Sequence, residues 1–596
     1  MYDNILASIF FLLACIVAAS GLFFFKKSDK SLVGISWVVT AVLTLTCWHA
    51  VVAGVFGLVR IPVNLFSIGL MDILAGGLLW WTIWRRRERQ IHQWYIADAV
   101  VTAGLMVFTA LFFALRTGGT RFTIHYTTID PAAWLIAAVD VVKTQTVHGM
   151  FYQSLTNGLL IGALSPLTTP DYYYRIFVFS GGLFLFIAGL AFYATVRRFA
   201  KTKLTSTVIV AVTFLYVIGY PLNATLWGFV WLGMGVILIT HITFLADSML
   251  AGDIGKWPAA VALMCASLAL IICYAMFAPV VFLSLGLVVL VKYRNARILS
   301  RESVLVALAI FVVPVVIGLV YMFGGVFTDG ITVTGAISTE GACYRDLFSN
   351  FVPFAPLAVF GFYKLARSKQ LNIHLFMLPV LFVFMVGLFA GGMLGKVSSY
   401  YYFKTYNMLW FVVIYLAVVG VMKIANRETA ILLTTFATTW LLIFALSGSG
   451  IEHQIQTRNE LFDPTPKATD MNDLFTWNRR ELMTPGEMDP EETALYHYVY
   501  NNYVKEGKPT VPIVCYWATA YWYQAISSQR LNDQDIASYA DPNWVMRMVA
   551  ESSSEYILVM TDEDDPTYQA HKAYFDSLPR VFSTNAGYVA QLHTSS

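Results

Sequence analysis

The chain has 596 residues, of which 58% are hydrophobic and 13% are charged, and its mean hydropathy is +0.64. Soluble domains carry about 25% charged residues, so this composition excludes an ordinary soluble protein. The formal net charge of +3 is small for a chain of this length, and no nucleic-acid partner is expected.

Apolar runs long enough to cross a bilayer, roughly 20 residues each, recur from the N-terminus to about residue 448. We predict a polytopic α-helical membrane protein with about 14 transmembrane helices. The apolar stretch 254–293 is divided into two spans at CYAMFAP. The predicted spans lie near 4–25, 32–58, 65–84, 94–115, 174–196, 205–219, 223–246, 255–272, 275–293, 303–323, 351–366, 373–395, 405–422 and 428–448.

Loops that are rich in basic residues alternate along the chain with loops that contain few of them. The basic loops are KKSDK, RRRER, RRFAK, KYRNAR, KLARSK and KIANR, whereas RIPVN, YPLNAT and CYAMFAP together contain one basic residue. The positive-inside rule makes the first set cytoplasmic. Three polar segments, 116–173, 324–350 and the tail after 448, are then extracytoplasmic, and the expected location is the cytoplasmic (plasma) membrane.

The tail has a different pattern from the rest of the chain. EETALYHYVYNNYVKEGK and PTYQAHKAYFDSL predict helices, TVPIVCYW and EYILVM predict buried strands, and RVFSTNAGYVAQL predicts two strands across an Asn-containing turn. We therefore predict two domains, a transmembrane domain over residues 1–448 and an extracytoplasmic α/β domain over residues 449–596.

The first extracytoplasmic segment contains RFTIHYTTIDPAAW, which places Arg121 and His125 close to Asp130. Arg121 and His125 are candidates for binding the phosphate or the sugar of a donor. Asp is a preferred N-cap and Pro is favoured at the first helical position, so Asp130 and Pro131 predict the start of a helix. The apolar residues that follow predict a helix lying in the membrane interface. Two interpretations stay open: Asp130 only caps this helix, or it also acts as a general base toward a substrate at the membrane surface.

A second extracytoplasmic pattern is KVSSYYYFKTYNMLW, where Lys404 stands at the start of a predicted span. One interpretation is an aromatic belt with a snorkelling lysine. The other is a cation for a lipid phosphate, with Tyr401 and Tyr402 packing against a sugar or donating hydrogen bonds to it. Arg345, in the segment 324–350, is a further candidate for binding the phosphate.

The sequence contains neither a CxxC pair nor an HExxH motif, so a zinc site is not expected and no metal-ligating residues are assigned. Three ionisable residues, His49, Asp72 and Asp98, fall inside predicted spans, where we expect them to join polar contacts between helices. Whether the extracytoplasmic Cys343 and Cys515 pair is left open by their spacing.

The stretches HYTTIDPAAW, YPLNATLWGFVWLG and SSYYYFKTYNMLW resemble segments of the GT-C superfamily of bacterial membrane glycosyltransferases. The resemblance implies a GT-C-like fold and transfer of a sugar from a polyprenyl-phosphate donor to a glycan or glycolipid acceptor of the cell envelope. It implies Asp130 as general base and Lys404 as a ligand of the carrier phosphate, with Arg345 assisting.

The chain departs from the usual GT-C pattern in two ways. Four predicted spans precede the acidic loop, where the family usually has one, and the acid is a single Asp followed by Pro rather than an adjacent acidic pair. The second departure leaves a requirement for a divalent cation open, with Asp171, Asp329 or Glu340 as candidates for a second ligand.

Two other function classes compete with the enzyme. A transporter or flippase of a lipid-linked or anionic substrate would predict inverted repeats and discontinuous helices, and we find no internal repeat. A noncatalytic scaffold that binds wall glycan would tolerate loss of Asp130 and Lys404. The donor sugar, the acceptor, and the choice between a single-sugar transferase and a polymerase stay undecided.

Overall fold

The computed structural model describes residues 2–116, 130–146, 155–296, 301–321, 323, 351, 354–368, 371–424, 474–483, 490–513, 517–531, 541–561 and 566–592. Helices dominate this part of the chain, and ten of its helical segments are long and apolar enough to cross a membrane. They are Ile5–Phe24, Gly34–Val59, Leu65–Arg86, Ile96–Arg116, Pro170–Arg197, Lys203–Leu226, Val230–Leu250, Lys256–Lys292, His374–Met393 and Ser399–Ile424. The protein is a multi-pass membrane protein by this criterion.

Most of the predicted spans fall on these segments. The break expected at CYAMFAP is confirmed, because a 3-10 turn at Ala275–Phe277 separates two helices within Lys256–Lys292. The predicted spans 303–323 and 351–366 coincide with shorter apolar helical stretches, Val304–Val320 and Ala355–Ala366. The predicted span 428–448 lies outside the described residues, so the total of about 14 stays a prediction.

We number the helices in chain order. In the first half of the chain they are α1 Tyr2–Phe24, α2 Gly34–Val59, α3 Leu65–Arg86, α4 Ile96–Arg116, α5 Asp130–Thr144, α6 Leu155–Leu164, α7 Tyr173–Arg197, α8 Lys203–Ile218, α9 Tyr220–Leu226, α10 Val230–Leu250, α11 Lys256–Tyr274 and α12 Ala278–Ala296. In the second half they are α13 Arg301–Ala307, α14 Val313–Tyr321, α15 Ala355–Ala366, α16 His374–Met393, α17 Ser399–Ile424, α18 Leu474–Met483, α19 Pro490–Asn502, α20 Trp517–Ser527, α21 Pro542–Glu551, α22 Pro566–Ala570 and α23 Lys572–Asp576.

Small residues bring two of the membrane helices into close contact. A Cβ atom added to Gly361 of α15 would lie 1.9 Å from the carbonyl oxygen of Leu416 in α17, and one added to Gly420 would lie 2.3 Å from that of Leu357. In a bilayer the hydrophobic effect does not drive helices together, because lipid tails are as apolar as the side chains. Association depends instead on van der Waals packing, and small residues allow the two backbones to approach closely.

The ionisable residues inside the spans make polar contacts between helices, as the sequence predicts. Asp98 at the start of α4 accepts hydrogen bonds from Tyr193 Oη at 2.8 Å and from Arg197 Nε at 3.1 Å, both on α7. His49 of α2 lies 2.8 Å from Asp72 of α3, measured from Nε2 to Oδ2. The pairing of Asp98 with Arg197 neutralises charge that would be costly to bury alone.

The C-terminal region forms a four-stranded sheet in the order β3-β4-β6-β5. Strands β3 (Thr510–Ile513) and β4 (Tyr556–Met560) are parallel, and β6 (Gly587–Gln591) is antiparallel to both β4 and β5 (Arg580–Thr584). The predicted strands and the predicted strand pair across the Asn-containing turn are confirmed. Two short strands near the N-terminus, β1 (Leu32–Val33) and β2 (His92–Gln93), form a separate parallel pair.

One predicted helix of the C-terminal region is divided. PTYQAHKAYFDSL forms two short helices, α22 and α23, with a turn at His571 between them. The prediction of a single helix was therefore wrong in this detail.

The C-terminal region packs against one end of the helix bundle, which we call the outer end. Lys143 Nζ of α5 donates to the carbonyl of Ser528 at 3.5 Å, and Arg530 pairs with Asp140 of α5. The basic loop after α1 lies at the opposite end, where Lys30 pairs with Asp253 at 2.9 Å. The outer end is the end that the loop charges predict to be extracytoplasmic.

Candidate active site

Helix α5 begins at Asp130 on the outer end of the bundle. The sequence predicts Asp130 at the cap position and Pro131 as the first helical residue, and the structure places Asp130 already within the helix, a difference within the ordinary ambiguity of helix ends. A carboxylate in the first turn is stabilised by the N-terminal end of the helix dipole. The side chain is partly exposed, so it can be reached from outside the protein.

A tight contact places the start of α5 against the segment between α9 and α10. Gly228 has φ +75°, and a Cβ atom there would lie 2.3 Å from Cγ of Pro131. Only glycine combines this left-handed backbone with this approach. The contact holds Pro131, which follows Asp130, against Gly228, which precedes Phe229.

Lys404 lies among aromatic rings on the same side of the bundle. Its Nζ is 3.8 Å from the ring centroid of Tyr400, 5.3 Å from that of Phe229, 5.6 Å from that of Tyr401 and 5.8 Å from that of Tyr274. Cations are attracted to ring faces within about 6 Å. The rings come from α10's N-cap, the end of α11 and the first turn of α17, so three parts of the chain position one ammonium group.

The charges of Asp130 and Lys404 act on each other across this region. Burial raises the pKa of the Asp130 carboxyl above its ordinary value, and the positive charge of Lys404 lowers it by a smaller amount. The net effect is a carboxylate that is a stronger base than an exposed aspartate. A carboxylate and an ammonium group that are remote in sequence are thus close enough at the outer end for the charge of one to act on the other.

This arrangement can perform proton transfer beside a bound anion. A carboxylate with a raised pKa is suited to accept a proton from a hydroxyl group at neutral pH. An ammonium group held by aromatic rings can stabilise negative charge on a phosphate. The rings offer apolar faces to a sugar or to the first part of a lipid chain.

The structure brings together some of the sequence-predicted site residues and not others. Tyr401 contributes a ring near Lys404, whereas Tyr402 packs its ring against Phe389 of α16 and Tyr406. Three further candidates, Arg121, His125 and Arg345, lie outside the described residues.

Sequence reasoning missed three of the rings around Lys404. The predicted span began at residue 405, whereas α17 begins at Ser399, so Tyr400 and Lys404 are four positions apart on one helix. A helix predicted to begin at Ser399 would have identified Tyr400 as a neighbour of Lys404. Phe229 and Tyr274 come from distant outer turns, and no local signal identifies them.

Asp171, considered as a second metal ligand, has other partners. It lies in a 3-10 turn before α7, and its Oδ2 is 2.8 Å from Nδ1 of His497 and 3.3 Å from Nδ2 of Asn501. The His497 ring stacks on Tyr172 with centroids 4.4 Å apart. Asp171 thus joins the bundle to α19, while Asp329 and Glu340 lie outside the described residues.

A cavity of about 360 Å³ lies near the opposite end of α5. Its lining includes Val141, Gln145, Leu65 and Gly158, and it does not include Asp130 or Lys404. The candidate site is therefore identified by its charges and rings and not by this cavity.

No protein-family model matches the chain, and no curated protein is significantly similar to it in sequence. One solved structure to which it is similar is the oligosaccharyltransferase of Archaeoglobus fulgidus in the apo form, at 10% identity and a TM-score of 0.46, covering 77% of this chain and 69% of that chain. A similarity of this strength does not establish a shared fold.

Proposed function

We propose that the protein is a GT-C-like glycosyltransferase that uses a polyprenyl-phosphate sugar on the outer face of the membrane. The proposal rests on the position of Lys404 beside Phe229, next to the contact of Gly228 with Pro131, where its positive charge acts on Asp130. This region supplies a base and a cation, the two groups that this reaction requires. The acceptor is a glycan or glycolipid of the cell envelope.

The reaction follows from these two groups. Asp130 accepts the proton of an acceptor hydroxyl group as the acceptor oxygen forms a bond to the anomeric carbon of the donor sugar. The bond between the anomeric carbon and the phosphate oxygen breaks, and its electron pair stays on the polyprenyl phosphate. Lys404 stabilises the negative charge of this leaving group. No nucleotide is required, because the lipid phosphate is already an activated leaving group.

The position of the site supports a lipid-linked donor. Lys404 lies near the outer end of a candidate membrane span, Ser399–Ile424, where a lipid phosphate would lie in the bilayer. Asp130 opens a helix that is not itself among the candidate spans, and the C-terminal region packs against that same helix. The lipid phosphate and a polymeric acceptor can thus approach the site from different sides.

The experiment is transfer of radiolabelled sugar from a panel of polyprenyl-phosphate sugars by membranes that contain the wild type or Asp130→Asn at matched expression. Asn keeps the size and one side-chain oxygen of Asp but is not a base, so we expect transfer to fall by about 100-fold or more. Asp140→Asn, a carboxylate on the same helix that pairs with Arg530, is the matched control and should retain transfer. Full activity of Asp130→Asn, or no transfer by the wild type from any donor, would overturn the proposal.

A further inference from the structure

Three side chains with metal-binding atoms converge between the first three helices. Sγ of Cys15 in α1, Nε2 of His49 in α2 and Oδ2 of Asp72 in α3 are the atoms concerned, and the ligand atoms of the three residues lie within 4.8 Å of one another. The distance is 2.8 Å from His49 to Asp72 and 3.6 Å from Cys15 to Asp72. The cluster is far along the chain from Asp130 and Lys404.

One oxygen of this cluster is left without a partner. Asp72 is fully buried, with 0% exposure, and its Oδ1 has no hydrogen-bond partner among the described residues. A buried carboxylate oxygen without a partner destabilises the folded protein, so its retention requires an explanation. A pair of helices that needed only a polar contact would be served by the bond from His49 to Oδ2 alone.

The three residue types match a borderline divalent metal ion. Thiolate, imidazole and carboxylate are the protein ligands of Zn²⁺, at about 2.0–2.3 Å from the ion. Two atoms bound to one tetrahedral ion at these distances lie about 3.5 Å apart. The separations of 2.8 and 3.6 Å, with an upper limit of 4.8 Å for the third, lie on both sides of this value.

The charges of the three side chains also match a divalent cation. A Cys15 thiolate, an Asp72 carboxylate and a neutral His49 carry two negative charges, which a divalent cation neutralises. A neutral cluster is what the bilayer interior requires, because uncompensated charge there is expensive. Hard cations such as Mg²⁺ and Ca²⁺ prefer sites built from oxygen, so the thiol favours a transition metal.

We infer that Cys15, His49 and Asp72 bind one Zn²⁺ ion that joins α1, α2 and α3. Three protein ligands leave one tetrahedral position for water or a further group. The sequence does not predict this site. Each of the three ligands comes from a different helix, so they form no local motif such as CxxC or HExxH.

The test uses full-length protein purified in detergent with an affinity tag that is not polyhistidine. After incubation with Zn²⁺ and removal of unbound metal, we expect about one tightly bound Zn²⁺ per chain by elemental analysis. Incubation with Co²⁺ instead should give a thiolate-to-cobalt charge-transfer band in the near ultraviolet. The wild-type spectrum alone tests whether a thiolate is a ligand, whatever happens to the variants.

Cys15→Ser and Asp72→Asn should each lose bound Zn²⁺ by about 10-fold or more, and Cys15→Ser should also lose the cobalt band. Cys47→Ser is the matched control, since Cys47 is a buried cysteine of α2 outside the cluster, and it should bind metal as the wild type does. Zn²⁺ should raise the unfolding temperature of the wild type and of Cys47→Ser but not of Cys15→Ser. A wild type without a cobalt–thiolate band, or a Cys15→Ser variant that retains wild-type Zn²⁺, would overturn the inference.

Discussion

The positive charge of Lys404 acts on the carboxylate of Asp130, although the two residues belong to opposite halves of the chain. The aromatic rings around Lys404 and the contact of Gly228 with Pro131 bring the two groups to one region. This relationship links the fold to the proposed chemistry, since it combines a base with a cation at the outer end of the bundle. Each part of the relationship can be tested separately.

The first prediction concerns the pH dependence of transfer. Protonated Asp130 cannot accept a proton, so kcat/KM should rise with pH through the pKa of Asp130. Burial raises this pKa, so the acidic limb should lie above the value of about 3.9 for an ordinary aspartate. The positive charge of Lys404 lowers the pKa of Asp130. Lys404→Gln should therefore move the acidic limb of the pH profile, measured on the activity that remains, to higher pH.

The control for this shift is Lys143→Gln, which removes a positive charge from the last turn of α5. It should leave the acidic limb where the wild type has it. If the acidic limb of Lys404→Gln lies at the same pH as that of the wild type, or at lower pH, then Lys404 does not act on the catalytic base.

The second prediction concerns Gly228. Gly228→Ala introduces a Cβ atom 2.3 Å from Pro131 and a side chain at φ +75°. The backbone strain alone costs about 1–2 kcal/mol, and relief of the clash moves the start of α5. Transfer should therefore fall by more than the loss of folded protein accounts for.

Gly233→Ala is the matched control, since a Cβ atom there meets only Ala224 Cβ at 4.0 Å. Its transfer rate and unfolding temperature should stay close to those of the wild type. Equal activity of the two alanine variants per folded molecule would show that the position of α5 does not depend on this contact.

The third prediction concerns the contact between Asp171 and His497. Asp171 has a side chain that is 1% exposed, and it is the partner of His497 across the junction of the bundle with the C-terminal region. Asp171→Asn should weaken this junction by roughly 1–3 kcal/mol, since a buried charged hydrogen bond is lost. Hydrogen exchange in α19 should be faster than in the wild type.

Glu506→Gln serves as the control for Asp171→Asn, because it alters only an exposed pair with Lys508, at 3.7 Å. Exposed pairs contribute little, so exchange in α19 should be unchanged in this variant. Unchanged exchange in Asp171→Asn as well would mean that other contacts hold the C-terminal region in place.

The fourth prediction concerns Lys27, in the loop after α1. Its Nζ is buried without a hydrogen-bond partner among the described residues and lies 4.5 Å from the centroid of the Trp37 ring. Burial lowers the pKa of Lys27 to about 7. An unfolded lysine has a pKa of about 10.4, so between these values the unfolded chain binds a proton that the folded chain does not.

The free energy of unfolding should therefore rise with pH across this window in the wild type. Lys27→Met should remove this rise and should raise the unfolding temperature most at and below pH of about 7. Lys26→Met, which removes an exposed lysine paired with Asp29 and Glu88, is the control and should keep the pH dependence. A Lys27→Met variant less stable than the wild type at low pH would contradict the prediction.

Local patterns predicted the membrane helices and the C-terminal strands well. Long apolar runs, and the alternation of apolar and polar residues on either side of the turn between β5 and β6, are local patterns. Both can therefore be recognised in the sequence. The start of α17 was predicted six residues late, because polar tyrosines and a lysine at a membrane surface resemble a loop. The contacts of Lys404 with Phe229 and Tyr274 are not readable from local sequence, because they depend on how distant turns pack.

The same limit applies inside the membrane. The sequence predicts that His49 and Asp72 make polar contacts, and the structure pairs them. It does not predict that Cys15 joins them, because a single cysteine in an apolar run is usually a small apolar residue. Convergence of three helices is a property of the packed bundle.

Donor binding and turnover can be measured separately in Asp130→Asn and Lys404→Gln, with the donor found in the transfer assay, and the two measurements distinguish the role of the base from that of the cation. Asp130→Asn should bind the donor within about threefold of the wild type while kcat falls by about 100-fold or more. Lys404→Gln should weaken donor binding by about 10-fold or more, because the phosphate loses a charged partner. Wild-type turnover by Asp130→Asn, or donor binding by Lys404→Gln equal to that of the wild type, would contradict the roles given to these two residues.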